Sequence, residues 1–152
     1  MSWLESEAHL DEFLRRLEQH TLPKSEWTHA AHVTMAAGYL TRMTPGEALP
    51  LIRDRIKSYN VSVGGENTES SGYHESLTVL WIRLVAHHLS GLDPAMARID
   101  QVRSAVAGFA GRSGIFREYW SFDVVKSVEA RREWVEPDLK PGPDGFGFTG
   151  AP

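Results

Sequence analysis

Two histidines three residues apart, in Trp27-Thr28-His29-Ala30-Ala31-His32, and a third in Gly72-Tyr73-His74-Glu75-Ser76 are the side chains of this sequence best suited to chemistry. Imidazole binds transition metals or moves protons near neutral pH, and a neighbouring carboxylate can complete a metal's ligand set or act as a base. At about 100° per residue, His29 and His32 lie about 60° apart, on the arc of Val33, Ala36 and Leu40, so they face a core rather than solvent. His74 shares an arc with Thr78, Trp81 and Val85, and Glu75 shares another with Val79, Ile82 and Ala86. A buried carboxylate pairs, binds a cation or takes up a proton. Packing of the two helices that carry these residues would bring Glu26, His29, His32, His74 and Glu75 together at their N-terminal turns.

That set leads to the expectation of a metal-dependent enzyme acting on a small polar molecule. His29, His32 and His74 are the expected ligands of one divalent ion, zinc, nickel or iron. Glu75 is a fourth ligand or the general base on metal-bound water, and Tyr73 orients substrate. Asn67 and Thr68, in the loop before Tyr73, add hydrogen-bonding groups. Two other classes compete. One is a non-catalytic ligand- or partner-binding module whose polar pocket holds no metal, since His-x-x-His lacks the adjacent base of His-Glu-x-x-His. The other is a homodimer built on the Trp120–Trp134 segment. Arg112 and Arg117 offer charge for an anion, but Gly111-Arg-Ser-Gly114 lacks the order of a phosphate loop. Arg131-Arg132, between Glu129 and Glu133, reads as a solvated charge run. No Gly-x-Ser-x-Gly elbow and no dinucleotide fingerprint is present, so neither a serine hydrolase nor a nucleotide or redox cofactor is expected.

The elements that would position these groups read as helices throughout. Helix A spans about Trp3–His20, capped by Ser2, with Trp3, Leu10, Phe13, Leu14 and Leu17 on one stripe. Helix B runs from about Ser25, its cap, to Thr41, and its small residues Ala30, Ala31, Ala36, Ala37 and Gly38 admit a close neighbour. Thr44-Pro45 opens helix C through about Tyr59, with Leu49, Ile52, Ile56 and Tyr59 as its core stripe, Arg53 and Lys57 off it, and Pro50 a site of kinking. A long polar loop, Asn60–Gly72, precedes helix D, about Tyr73–Leu89, on which only Ser76, Arg83 and His87 form a polar strip. Asp93-Pro94 caps helix E, and Ser121 caps a last helix over about Phe122–Trp134. Asp138-Leu139 then docks back, with Leu139 as anchor. No period-two pattern exceeds Val61-Ser62-Val63. An all-α bundle of five or six helices follows: a single domain over 1–139 and an irregular Pro/Gly-rich tail over 140–152.

Composition agrees with that reading. The 152 residues are 41% hydrophobic and 24% charged, within the range of folded globular domains. Zero cysteines exclude disulfides, thiolate nucleophiles and cysteine-based metal sites. Sixteen basic against twenty acidic side chains, with no basic block, argue against nucleic-acid binding. No run approaches the ~18 apolar residues of a membrane span, and the acidic N-terminus is unlike a signal peptide, so a cytoplasmic location is expected.

Three segments, Glu26-Trp-Thr-His-x-x-His32, Gly72-Tyr-His-Glu-Ser76 and Ala130-Arg-x-x-Trp-Val-Glu-Pro-Asp-Leu139, together resemble a family of small uncharacterised bacterial proteins of about this length. The resemblance covers the chain from helix A to Leu139. It implies a bacterial, intracellular, all-helical protein in which His29, His32, His74 and Glu75 belong to the recurring motif, and it supplies no reaction.

Overall fold

Among the described residues, four of the six α-helices start at a serine or threonine that accepts from a free N–H of the first turn, and one starts at a histidine. The fifth, after Ala97 rather than the expected Asp93-Pro94, has no side-chain cap. The structure, a computed structural model, describes residues 4–143. The expected Ser2 cap, the Trp3 end of the first stripe and most of the tail lie outside that range. Helix α1 (Glu7–Glu18) is capped by Ser6, which accepts from the His9 N–H, and it buries Leu10, Phe13, Leu14 and Leu17. A 3₁₀ turn (Lys24–Glu26) takes up the start expected for the second helix. Helix α2 (His29–Leu40) begins instead after Thr28, whose hydroxyl accepts from the Ala31 N–H. Both Ser25 and Thr28 are competent caps, and the chain uses the later one.

Helix α2 is the central element, packed on α1, α3 (Pro45–Ser62), α4 (Glu75–Ser90) and α5 (Arg98–Phe109). Its small residues allow this: a Cβ on Gly38 would press to 3.2 Å from Leu14 and 3.3 Å from Leu10. A reciprocal capping box of Thr44 and Glu47 starts α3. The helix runs through Pro50 without interruption, and the carbonyl that loses its partner belongs to exposed Gly46. Val61 and Ser62, within the short period-two alternation, are the last two residues of the same helix. Arg98 ties three helices together, donating to Asp11 (3.0 Å), the Gly38 carbonyl (2.9 Å) and Thr41 (2.9 Å).

The C-terminal third departs most from expectation. The last helix, α6, is only Val128–Arg132 and is capped by Ser127, whereas Ser121 bonds Asp138 through its N–H and hydroxyl. Residues 133–139, outside any helix, run from Ser76 of α4 to Tyr119. Trp120 donates to the Val135 carbonyl (3.1 Å) and meets Trp134 edge-on, so both tryptophans pin this segment. Leu139 is held through its N–H to the Tyr119 carbonyl (2.9 Å), while its side chain is 54% exposed and anchors nothing. Two members of the polar strip of α4, Ser76 and Arg83, are covered by the same segment, while His87 is exposed. Ser76 donates to the Glu133 carbonyl (2.7 Å) and accepts from the Val135 N–H (3.0 Å), and the Arg83 guanidinium lies over the Trp134 ring. The fold is all-helical, with six α-helices and no strand among the described residues. None of those helices is long and apolar enough to cross a membrane.

Candidate functional site

The start of α4 decides the geometry. Gly72 adopts φ +80°, and a Cβ there would overlap the Glu66 carbonyl and Asn67, so only glycine fits the turn that delivers Tyr73, His74 and Glu75 to the helix. His74 is the N-cap: its Nδ1 accepts from the Leu77 N–H (3.2 Å), and its Nε2–H donates to the Val124 carbonyl (2.7 Å). A carbonyl partner requires the proton on Nε2, so both ring nitrogens are engaged. Burial, helped by the nearby Arg131 charge, holds the ring below its usual range of titration and keeps it neutral, against the Val124 bond.

Glu75, one residue on, points the other way. Its carboxylate takes a bidentate pair from Arg53 of α3 (2.9 and 2.7 Å) and a hydrogen bond from the Tyr73 hydroxyl (2.7 Å), and it is 4% exposed. Burial pushes its carboxyl up, but the Arg53 and Tyr73 bonds and the Lys57 charge outweigh burial and hold it below the usual range. Burial and the bond to Glu75 push the Tyr73 phenol well above its ordinary range. Thus Glu75 stays ionised, with both lone pairs of Oε1 and one of Oε2 occupied, and Tyr73 stays protonated.

His29 and His32 begin α2 and are fixed differently. His32 donates Nδ1–H to the Thr28 carbonyl (2.8 Å) one turn back, with its ring stacked on Trp27 at 3.8 Å between centroids. His29 donates Nε2–H to the Phe109 carbonyl (3.1 Å) at the end of α5 and meets the edge of Trp81 at 4.8 Å. Each imidazole therefore keeps one unprotonated nitrogen, Nε2 of His32 and Nδ1 of His29, with no protein partner among the described residues. Burial lowers the His32 pKa to about 4, against the pull of the Thr28 bond and with the aid of His29, so the ring is neutral at physiological pH.

These side chains divide between two cavities. His29, His32 and His74 line one of about 470 Å³, between α2 and α4, whose walls include Val33, Ile82, Val85, Trp81 and Phe116. The expected arc of His74, Thr78, Trp81 and Val85 forms one side of it. Glu75 lines the other, of about 700 Å³, with Arg53, Lys57, Asn67, Thr68 and Arg131. Tyr73 borders both. Glu26 belongs to neither and pairs with Arg16 of α1 (3.4 Å). The five residues expected at one point are thus three around one cavity, one in the next and one outside. Among the described residues no three His, Cys, Asp or Glu side chains are placed to hold an ion together.

Arg53 and Arg131 are cavity-lining residues of the candidate site that sequence patterning does not single out. Arg53 lies off the apolar stripe of α3, and the signal for it is the apolar arc around Glu75, which demands a cation. Arg131 is no solvated charge: it donates to the carbonyls of Gly72 (2.9 Å), Tyr73 (3.4 Å) and Val125 (2.9 Å), stapling the turn before α4 to the segment before α6. Arg112 pairs with Glu118 and Arg117 lies over Phe116, so both have local partners. His88 bonds Ser104 (2.9 Å) across to α5. Compared with known proteins, the chain matches no family model, no curated protein and no solved structure.

Proposed function

We propose that the chain is a helical small-molecule-binding module whose ligand occupies the 470 Å³ cavity between α2 and α4 without a metal. The observation that carries this reading is the pair of pinned imidazoles, His29 and His32, each spending its N–H on a backbone carbonyl and keeping its lone pair. Two imidazole acceptors in an aromatic and aliphatic cavity suit a neutral, flat, largely apolar molecule that carries N–H or O–H donors. A cation is disfavoured, because the site already resists protonation of His32. A molecule without donors would strip water from both nitrogens and leave them unpaired, at about 1–3 kcal/mol for each buried group.

Indole and benzofuran have nearly the same shape and differ in the N–H. Calorimetric titration is expected to show indole binding at least about tenfold tighter than benzofuran, the discrimination worth about 1.4 kcal/mol. His29→Leu/His32→Leu should erase that difference. Equal affinities for the two in the native protein, or no binding of either, would overturn the reading.

The metal-dependent enzyme is the alternative reading. It rests on the same two nitrogens, and needs His74 to leave Val124 and Leu77 or Glu75 to leave Arg53. Stoichiometric uptake of zinc, nickel or iron by the native protein, lost in the double variant, would put it in place of the metal-free one.

A further inference from the structure

The second cavity, bounded by α3, the 67–69 loop and α6, differs in chemistry from the histidine pocket. Four cations line it, Arg53, Lys57, Arg131 and Arg132, against three carboxylates, Glu69, Glu75 and Glu133. Setting aside the Arg53–Glu75 pair leaves three cations facing two carboxylates. The remaining charges are not equivalent. Arg131 is partly buried and bonds only carbonyls, which are neutral, so no carboxylate offsets its charge directly. Glu69 and Glu133 are exposed and screened by water, as are Lys57 and Arg132, so the partly buried guanidinium groups of Arg53 and Arg131 set the sign of the inner cleft.

The donors on the inner wall are also incompletely used. Arg53 spends Nε and Nη2 on Glu75 and retains Nη1. The Lys57 amine stands 5.2 Å from the centre of the Tyr73 ring, and neither it nor Arg132 has an ion pair among the described residues. The framework behind them is fixed: Asn67 bonds the Lys57 carbonyl (3.0 Å) and accepts from the Tyr73 N–H (3.1 Å). Planar guanidinium groups and an ammonium around one opening are the donors that hold the oxygens of a carboxylate or phosphoryl group.

We infer that the cleft between α3 and α6 binds the oxyanion group, carboxylate or phosphoryl, of a small molecule through Lys57, Arg132 and the free edge of Arg53. The probes are inorganic phosphate and acetate, each titrated into ¹⁵N-labelled full-length protein at constant ionic strength set with chloride. The expected result is a saturable shift at the Thr68 amide and the Arg53 and Arg132 side chains with at least one probe. Phosphate alone assigns the phosphoryl group, acetate alone a carboxylate, and both the shared chemistry. Lys57→Gln/Arg132→Gln, two exposed substitutions, should weaken the response about tenfold or more, since each removes a charge-assisted contact. The same variant should keep the native affinity for indole, so loss of the oxyanion site is separable from failure of the histidine pocket. No saturable shift with either probe, or an unchanged response in the double variant, would overturn the inference.

Discussion

Arg53→Ala lowers the free energy of unfolding by about 3 kcal/mol, more than any other single substitution at the two cavities is expected to. Breaking a buried pair strands a charge, and stranded charges cost about 3–5 kcal/mol; Arg53 is itself partly exposed, which places it at the lower end. With the guanidinium gone, Glu75 keeps only the Tyr73 hydroxyl, and burial drives its carboxyl upward. Removing both partners tells a different story. Arg53→Leu/Glu75→Leu should recover much of the loss, because an apolar pair of similar volume pays no desolvation. Urea unfolding of the three proteins checks this. A loss for Arg53→Ala below about 1 kcal/mol, typical of a surface pair, would mean that Glu75 is not enclosed as described.

The second large effect is on pH. The His32 ring takes up a proton near 6.5 when unfolded and near 4 when folded. Between those values the unfolded state binds more protons, so stability falls as pH is lowered from 6.5 towards 4 and this contribution changes no further below 4 or above 6.5. The size is about 3 kcal/mol for a shift of that extent. His74 acts in the same direction, its ring also being held below its usual range, and Glu75 adds a further loss in more acid solution as its carboxylate is protonated. Denaturant unfolding across this range should therefore show a steep slope that His32→Leu makes distinctly shallower. An unchanged slope in that variant would place His32 in open water.

Much of this arrangement was readable from residue types. The stripe of α1, the Thr44 cap and the two arcs of α4 follow from period and capping. The divergence of those arcs, which sends His74 to one cavity and Glu75 to another, runs against the single ligand set expected of them. The start of α2 was harder, because Ser25 and Thr28 cap equally well and the choice depends on Trp27 packing against Tyr59 and His32. The last helix is shorter than its expected cap suggests, because the partners of that stretch lie elsewhere in the chain. Ser121 is taken by Asp138, and the segment after Arg132 bonds Ser76 and Trp120 instead of continuing the helix. Metal ligation could not be judged from His74, Glu75 and their neighbours alone, since the groups that occupy them, Val124 and Arg53, lie some fifty residues after and about twenty before.

The most direct measurement is the ring-¹⁵N spectrum of histidine-labelled protein, recorded against pH and then with indole or benzofuran. His32 should appear as the neutral Nδ1–H form down to about pH 5, with Nε2 unprotonated, as expected for a group whose pKa is near 4. Indole should move the Nε2 resonance of His32 or the Nδ1 resonance of His29 in the sense of a newly accepted hydrogen bond, and benzofuran should not. A His32 ring that titrates near 6.5, or ring nitrogens indifferent to the N–H of indole, would contradict the pocket as the site of recognition.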